Sequence, residues 1–216
     1  MRSMQAVLFD FDGTLAELNV DFIRMRTAVL DLMSRYCNPA DGMKDLYVLE
    51  MIEAGKQLIS ENCPGAQDEF FLRAHELIRG IETAGAKGGT LFTGTEEMLS
   101  ELRRRHIKIG IVSRNCIDAI RQIFPDIDSR CDTIITREYT ARVKPHPDHL
   151  LTALENLGTD PEFATMVGDH PMDITVGRDI GAYTVGVLTG YSEAASLRQA
   201  GADLIIERAP DIIRYI

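Results

Sequence analysis

Six short apolar runs set the strongest limit on how this chain can fold: "AVLF" (6–9), "KIGIV" (108–112), "DTIIT" (132–136), "FATMV" (163–167), "AYTVGVL" (182–188) and "ADLII" (202–206). Most are continuous rather than alternating, the pattern of strands buried on both faces of a parallel sheet. Helix-like segments lie between the later runs. In "TGTEEMLSELRRRH", Thr93 and Glu96 have capping-box spacing, and Leu99 and Leu102 form an apolar stripe. In "PDHLLTALENLG", Pro147 suits a first helical turn and Gly158 a C-terminal cap. Strand and helix in alternation predict an α/β fold, a doubly wound, mainly parallel, Rossmann-like sheet.

Residues 17–86 break this rhythm. They contain no convincing strand but carry long helical patterns, "NVDFIRMRTAVLDLMSRY" and "DEFFLRAHELIRGIETA". The punctuation at "NPADG" and "NCPG" divides the stretch into about four helices. The expected organisation is therefore an α/β core from residues 1–16 and 87–216 with a helical insertion at 17–86.

Bulk composition narrows the function classes. Acidic residues outnumber basic ones 33 to 23, a formal net charge of −10. That field disfavours nucleic acid as a partner. No run approaches the ~18 apolar residues of a membrane span. "AVLF" is too short for a signal peptide and ends at Asp10. Cys37, Cys63, Cys116 and Cys131 are scattered without CxxC spacing, as in reduced proteins. A cytoplasmic protein is expected. Its oligomeric state, monomer or homodimer, is not legible.

In open parallel sheets ligands bind beyond the carboxyl ends of the strands, and the chemistry-bearing residues follow the apolar runs directly. Asp10 and Asp12 follow "AVLF"; Ser113, Arg114 and Asn115 follow "KIGIV"; Asp169 and Asp173 follow "FATMV"; Lys144 ends the loop after "DTIIT". Carboxylates, a hydroxyl and an ammonium on one rim suit nucleophilic phosphoryl transfer. Asp10 can attack phosphorus, and Asp12 can exchange protons with the leaving alcohol and then with water. Ser113 can hold phosphoryl oxygens and Lys144 can neutralise charge. Asp10 and Asp169 can hold Mg²⁺, which favours a few carboxylates plus substrate oxygens.

The segments "DFDGTL" (10–15), "IVSRN" (111–115), "VKPHPD" (143–148) and "VGDHPMDI" (167–174) resemble the four ordered motifs of the haloacid dehalogenase-like (HAD) superfamily. The resemblance implies Asp10 as nucleophile and Mg²⁺ ligand, and Asp12 as acid/base and metal ligand through its carbonyl. It implies Ser113 and Lys144 as phosphoryl contacts, Asp169 as a metal ligand and Asp173 as its support. Arg114 and Asn115 are further candidate substrate contacts. A helical insertion between the first two motifs is similar to the type 1 cap of the phosphoglycolate phosphatase-like branch. The second interval has room for one helix and one strand. Asp12 favours phosphate chemistry over dehalogenation.

The expected activity is Mg²⁺-dependent hydrolysis of a small phosphorylated metabolite through an aspartyl-phosphate. A phosphomutase of the same superfamily and a non-catalytic HAD-like binding protein are the alternatives. His170 and Pro171 depart from the small polar residues common after the fourth-motif aspartate. His146, His149 and His170 invite a zinc reading, but no cysteine joins them. His170 is expected beside the Mg²⁺ shell. Arg24, Arg26, Arg73 and His75 could each grip a substrate anion but read first as solvated helix faces, and nothing marks Lys44 or Lys56 as a Schiff-base lysine.

Overall fold

The computed structural model describes residues 4–140 and 142–216. Its strands are β1 (Ala6–Phe9), β2 (Ala16–Glu17), β3 (Thr90–Leu91), β4 (Lys108–Val112), β5 (Thr133–Ile135), β6 (Ala164–Gly168), β7 (Tyr183–Val187) and β8 (Leu204–Ile206). Its α-helices are α1 (Phe22–Met33), α2 (Val48–Asn62), α3 (Gln67–Ala86), α4 (Thr95–Arg104), α5 (Ile117–Ile123), α6 (Ile127–Arg130), α7 (Asp148–Leu157), α8 (Pro171–Asp179) and α9 (Ala194–Ala200).

Six strands form one sheet in the order β5-β4-β1-β6-β7-β8, and every pairing in it is parallel. Numbered among themselves, the six run 3-2-1-4-5-6, the doubly wound order with β1 at its centre. Phe9 sits level with Ile111 of β4 on one side and Val167 of β6 on the other. The three strands therefore end on one rim.

All four residues of β1 are fully buried. Ala6 and Leu8 pack in a cluster with Met166, Leu150, Leu154 and Leu157. Val7 and Phe9 point to the opposite face by the two-residue period of a strand, and are buried equally. Both faces are covered, as the unbroken apolar runs predict.

The chain divides into two compact units, one running to Leu18 and resuming over Ala86–Ile216, the other Asn19–Gly85. The second is helical. Met25, Val29 and Met33 of α1 and Phe70, Ala74 and Ile78 of α3 recur every four residues and are buried, the spacing of an inward helix stripe. Asp21 caps α1, accepting from Arg24 N–H at 2.9 Å. Phe70 meets Tyr36 edge-on, ring centroids 5.9 Å apart.

Several local expectations need correction. The helical stretch holds three α-helices and a single 3₁₀ turn at Met43–Asp45 rather than four helices. Helix α4 is capped by Gly94 in the left-handed conformation (φ 93°), with no side-chain cap, so the Thr93–Glu96 box does not form. The interval after the second motif holds two short helices, α5 and α6, before β5. The antiparallel β2–β3 pair, Ala16 with Leu91 and Glu17 with Thr90, escaped notice because two residues show no periodicity. Gly158, in contrast, caps α7 in the left-handed conformation as expected.

Truncating the centre of β1 tests this packing. Leu8→Ala is expected to cost ~2–5 kcal/mol, because the site is fully enclosed and cannot collapse freely. Urea unfolding followed by circular dichroism reads it; a loss under about 1 kcal/mol would contradict a rigid core around Leu8.

Candidate active site

Asp10, Ser113 and Asp169 sit where buried strands stop. Asp10 directly follows β1, and its N–H donates to Val167 O at 2.9 Å. Ser113 follows β4, its N–H donating to Ile135 O at 3.0 Å. Asp169 follows β6. Parallel strands leave the next backbone N–H of one strand facing the last carbonyl of its neighbour, so these bonds fix the start of each loop.

The structure gathers one carboxylate oxygen each from Asp10, Asp169 and Asp173 within 4.8 Å of one another. Lys144, 2 % exposed, lies among them, its Nζ 2.7 Å from Asp10 Oδ1 and 2.6 Å from Asp173 Oδ1. Asp173 is placed by the start of α8: His170 N–H donates to Asp173 Oδ2 at 3.2 Å, and Met172 N–H donates to His170 Nδ1 at 3.1 Å. His170 thus departs from the usual motif without loss, since its ring replaces a small polar residue as the helix N-cap.

Asp12 is held apart from this cluster. Its Oδ1 accepts from Leu18 N–H at 3.0 Å, while its charge still raises the pKa of both Asp10 and Asp169. Arg114 Nη1 donates to Lys144 O at 2.5 Å and approaches Met172 Sδ at 3.3 Å. Ser113 Oγ accepts from Asn115 N–H at 3.2 Å. The Asn115 side-chain nitrogen is buried without a hydrogen-bond partner among the described residues, an omission that ordinarily costs ~1–3 kcal/mol.

The segment after β7 closes over Asp169. Thr189 Oγ1 donates to Gly13 O at 2.6 Å and Tyr191 N–H to Asp169 Oδ2 at 3.3 Å. A Cβ at position 190 would fall 1.8 Å from Asp169 Oδ2, so only glycine fits. At Gly13 (φ 81°) a Cβ would stand 2.6 Å from the same oxygen. Two glycines therefore wall the carboxylate in. Thr189 and Gly190 were missed in the sequence, although the strand-end rule that located Asp10 and Asp169 also points to the end of β7.

Electrostatically the site is short of positive charge. Four aspartates face one lysine. Burial pushes the Asp10 carboxyl well above the usual carboxylate range; Lys144 pulls it down and Asp173 pushes it up again. Asp169 is raised in the same way, by burial first and then by Asp10, Asp173 and Asp12. Hard oxygen donors, closely spaced and backed by backbone without side chains, fit a divalent cation such as Mg²⁺ or Ca²⁺.

The histidines do not make a zinc site. His149 is fully buried between Lys144 N and Ile135 O, His146 Nδ1 accepts from Asp148 N–H at 3.2 Å, and His170 caps α8. All four cysteines are free thiols. An apolar cleft of about 640 Å³, lined by Met4, Phe163, Tyr183 and Tyr215 among others, opens at the starts of β6 and β7, the end of the sheet opposite the carboxylates. Among the described residues, no helix is long and apolar enough to cross a membrane.

A doubly wound sheet with an aspartate-lined rim beyond β1 and β6 is the architecture of an α/β enzyme. The family model described as haloacid dehalogenase-like hydrolase matches residues 7–187, and the chain belongs to that family. It is 27% identical over 217 residues to the pyrophosphatase PpaX of Bacillus velezensis, covering 98% of this chain and 96% of that protein. It is 28% identical over 222 residues to a phosphoglycolate phosphatase of Xanthomonas campestris pv. campestris, with 98% and 96% coverage. A hydrolase from Pseudomonas syringae shares the fold at a TM-score of 0.73 and 21% identity, covering 98% of this chain and 97% of that one.

The raised carboxyls give a signed pH dependence. A carboxyl with a raised folded-state pKa supports folding fully below its unfolded value, near 4, and loses that support as pH climbs through the folded value. In chelator, Tm should therefore fall between about pH 5 and 8. A saturating divalent cation should restore about 5–10 °C at pH 8 and less at pH 5. Calorimetry checks this; equal cation effects at both pH values would contradict a carboxylate origin.

Proposed function

We propose that this enzyme hydrolyses a small phosphomonoester with the aid of Mg²⁺, through a phosphoryl group carried transiently on Asp10. The observation that carries this reading is the Asp10–Lys144–Asp173 constellation beside Asp169. Asp10 Oδ1 is held by Lys144, and its other oxygen makes no hydrogen bond among the described residues, which suits it to attack phosphorus.

In the first step the Asp10 oxygen bonds phosphorus as the phosphorus–oxygen bond to the leaving alcohol breaks. Asp12 supplies the proton to that alcohol oxygen. Its bond from Leu18 N–H sets the carboxyl's orientation. In the second step Asp12 takes a proton from water, whose oxygen attacks phosphorus, and Asp10 is released. Lys144 offsets charge on Asp10 and the transferring group, and Ser113 holds phosphoryl oxygens. The unpartnered Asn115 amide is a donor in want of an acceptor, and a substrate oxygen would supply one. Arg114 serves this group by its bond to the Lys144 carbonyl.

Asp10 and Asp169, with the Asp12 carbonyl, are the assigned ligands of Mg²⁺, and Asp173 supports them. When bound, the ion supplies charge stabilisation on the phosphoryl oxygens. The helical unit is read as the type 1 cap of this family, its limits near residues 17 and 86. Phosphoglycolate, a sugar phosphate, a nucleotide monophosphate and pyrophosphate are the candidate substrates, and the names of the relatives include the first and the last.

Phosphate release from a panel of phosphomonoesters and pyrophosphate tests the reading. Activity should require Mg²⁺, vanish in chelator, and fall at least ~10³-fold in Asp10→Asn. Folded, cation-binding protein without release on any substrate would overturn hydrolysis. Asn115→Ala should raise KM several-fold, by about 1 kcal/mol of lost binding, with little change in Tm. A matching fall in Tm would assign Asn115 to folding instead.

A further inference from the structure

Lys144 is the one cation bonded directly to the carboxylate cluster among the described residues, yet it stands in a loop rather than on a strand or helix. Something must hold its backbone. The structure assigns that task to His149: we propose that its imidazole is a positioning residue which ties the Lys144 loop to the end of β5. This inference rests on the role of Lys144 given above.

The geometry is a chain of three bonds. Lys144 N–H donates to His149 Nδ1 at 3.1 Å. His149 Nε2 lies 3.1 Å from Ile135 O. The same carbonyl accepts from Ser113 N–H at 3.0 Å. One carbonyl at the end of β5 thereby gauges both the backbone of Ser113 and, through the imidazole, the backbone of Lys144. Arg114 grips the opposite side of the same residue, at the Lys144 carbonyl.

The partners dictate the proton's position. A backbone N–H can only donate, so Nδ1 must be bare; a carbonyl can only accept, so Nε2 must carry the hydrogen. A neutral ring with Nε2–H satisfies both, whereas an imidazolium would turn Nδ1–H against Lys144 N–H. Complete burial and the nearby Lys144 charge also hold the ring neutral, its pKa pushed down to about 3. In the sequence His149 stands out only in the zinc reading it shares with His146 and His170, because a bond running backward from α7 to the loop leaves no mark in the spacing.

Two substitutions separate positioning from mere packing. His149→Phe keeps the ring's volume and removes both bonds. His149→Asn places a carboxamide oxygen close to the site of Nδ1 and so keeps an acceptor for Lys144 N–H. With p-nitrophenyl phosphate and saturating Mg²⁺, kcat should fall roughly 10–100-fold in the Phe variant with KM within about twofold, and the Asn variant should regain much of the loss. Phe and wild type alike in kcat, or Asn no better than Phe at equal folded fraction, would overturn the proposal. Wild-type protein that releases no phosphate would instead sink the hydrolase reading. Should the Phe variant fail to fold, two-bond proton–nitrogen NMR on wild-type protein decides: an Nε2–H signal for His149 at neutral pH supports the clamp, and an Nδ1–H or doubly protonated ring overturns it.

Discussion

A buried ammonium between two carboxylates is the constraint on which the rest of this molecule turns. Lys144 is nine-tenths and more removed from water, where an unpaired charge would be prohibitive. Asp10 and Asp173 make its burial tolerable, and it does the same for them. Yet the exchange is unequal: Asp169 and Asp12 add negative charge that one lysine cannot balance. Burial first, and this residual negative field after it, raise the Asp10 and Asp169 carboxyls, and the rim is a place where cations are attracted.

Delivering those groups to one point is a matter of sheet order. Because β1 lies between β4 and β6, with Phe9 level with Ile111 and Val167, the residues after Phe9, Val112 and Gly168 emerge on one rim. Asp173 reaches them from the first turn of α8, and Lys144 from the loop before α7. The strands that carry this burden are mainly apolar and, apart from Lys108 at the start of β4, enclosed. The scaffold thus spends its hydrophobic residues on rigidity and leaves polar ones for the strand ends, which is the division of labour expected of a site on rigid elements.

Much of this was legible from residue pattern, and the limits have physical causes. Continuous apolar runs marked all six strands of the main sheet, since burial on both faces removes the alternation that would otherwise confuse them with surface strands. Aspartates directly after those runs stood out because charge beside apolar sequence has a cost that function must justify. The clustering of Asp173 with Asp10 and Asp169, and the aim of the Asp12 carboxyl at Leu18 N–H, depend on loop geometry that spacing does not encode. The same holds for Arg114, whose guanidinium bonds the Lys144 backbone. The role of Gly190 depends on the Asp169 carboxylate packed against it, which the sequence does not show. Helix starts went astray where glycine rather than a side-chain acceptor begins the helix, as at Gly94.

The β2–β3 ribbon, unnoticed in the sequence, has an architectural consequence. Ala16 and Glu17 pair directly with Leu91 and Thr90, so the chain departs from the α/β unit and returns to it at neighbouring positions about 5 Å apart. An insertion whose two ends meet imposes almost no loop-closure demand on its host. Evolution can then lengthen, shorten or exchange the inserted helices while the strands that carry Asp10, Ser113 and Asp169 stay in register. The ribbon works as a splice point: the inserted helices can change while the strands that carry the acidic rim do not.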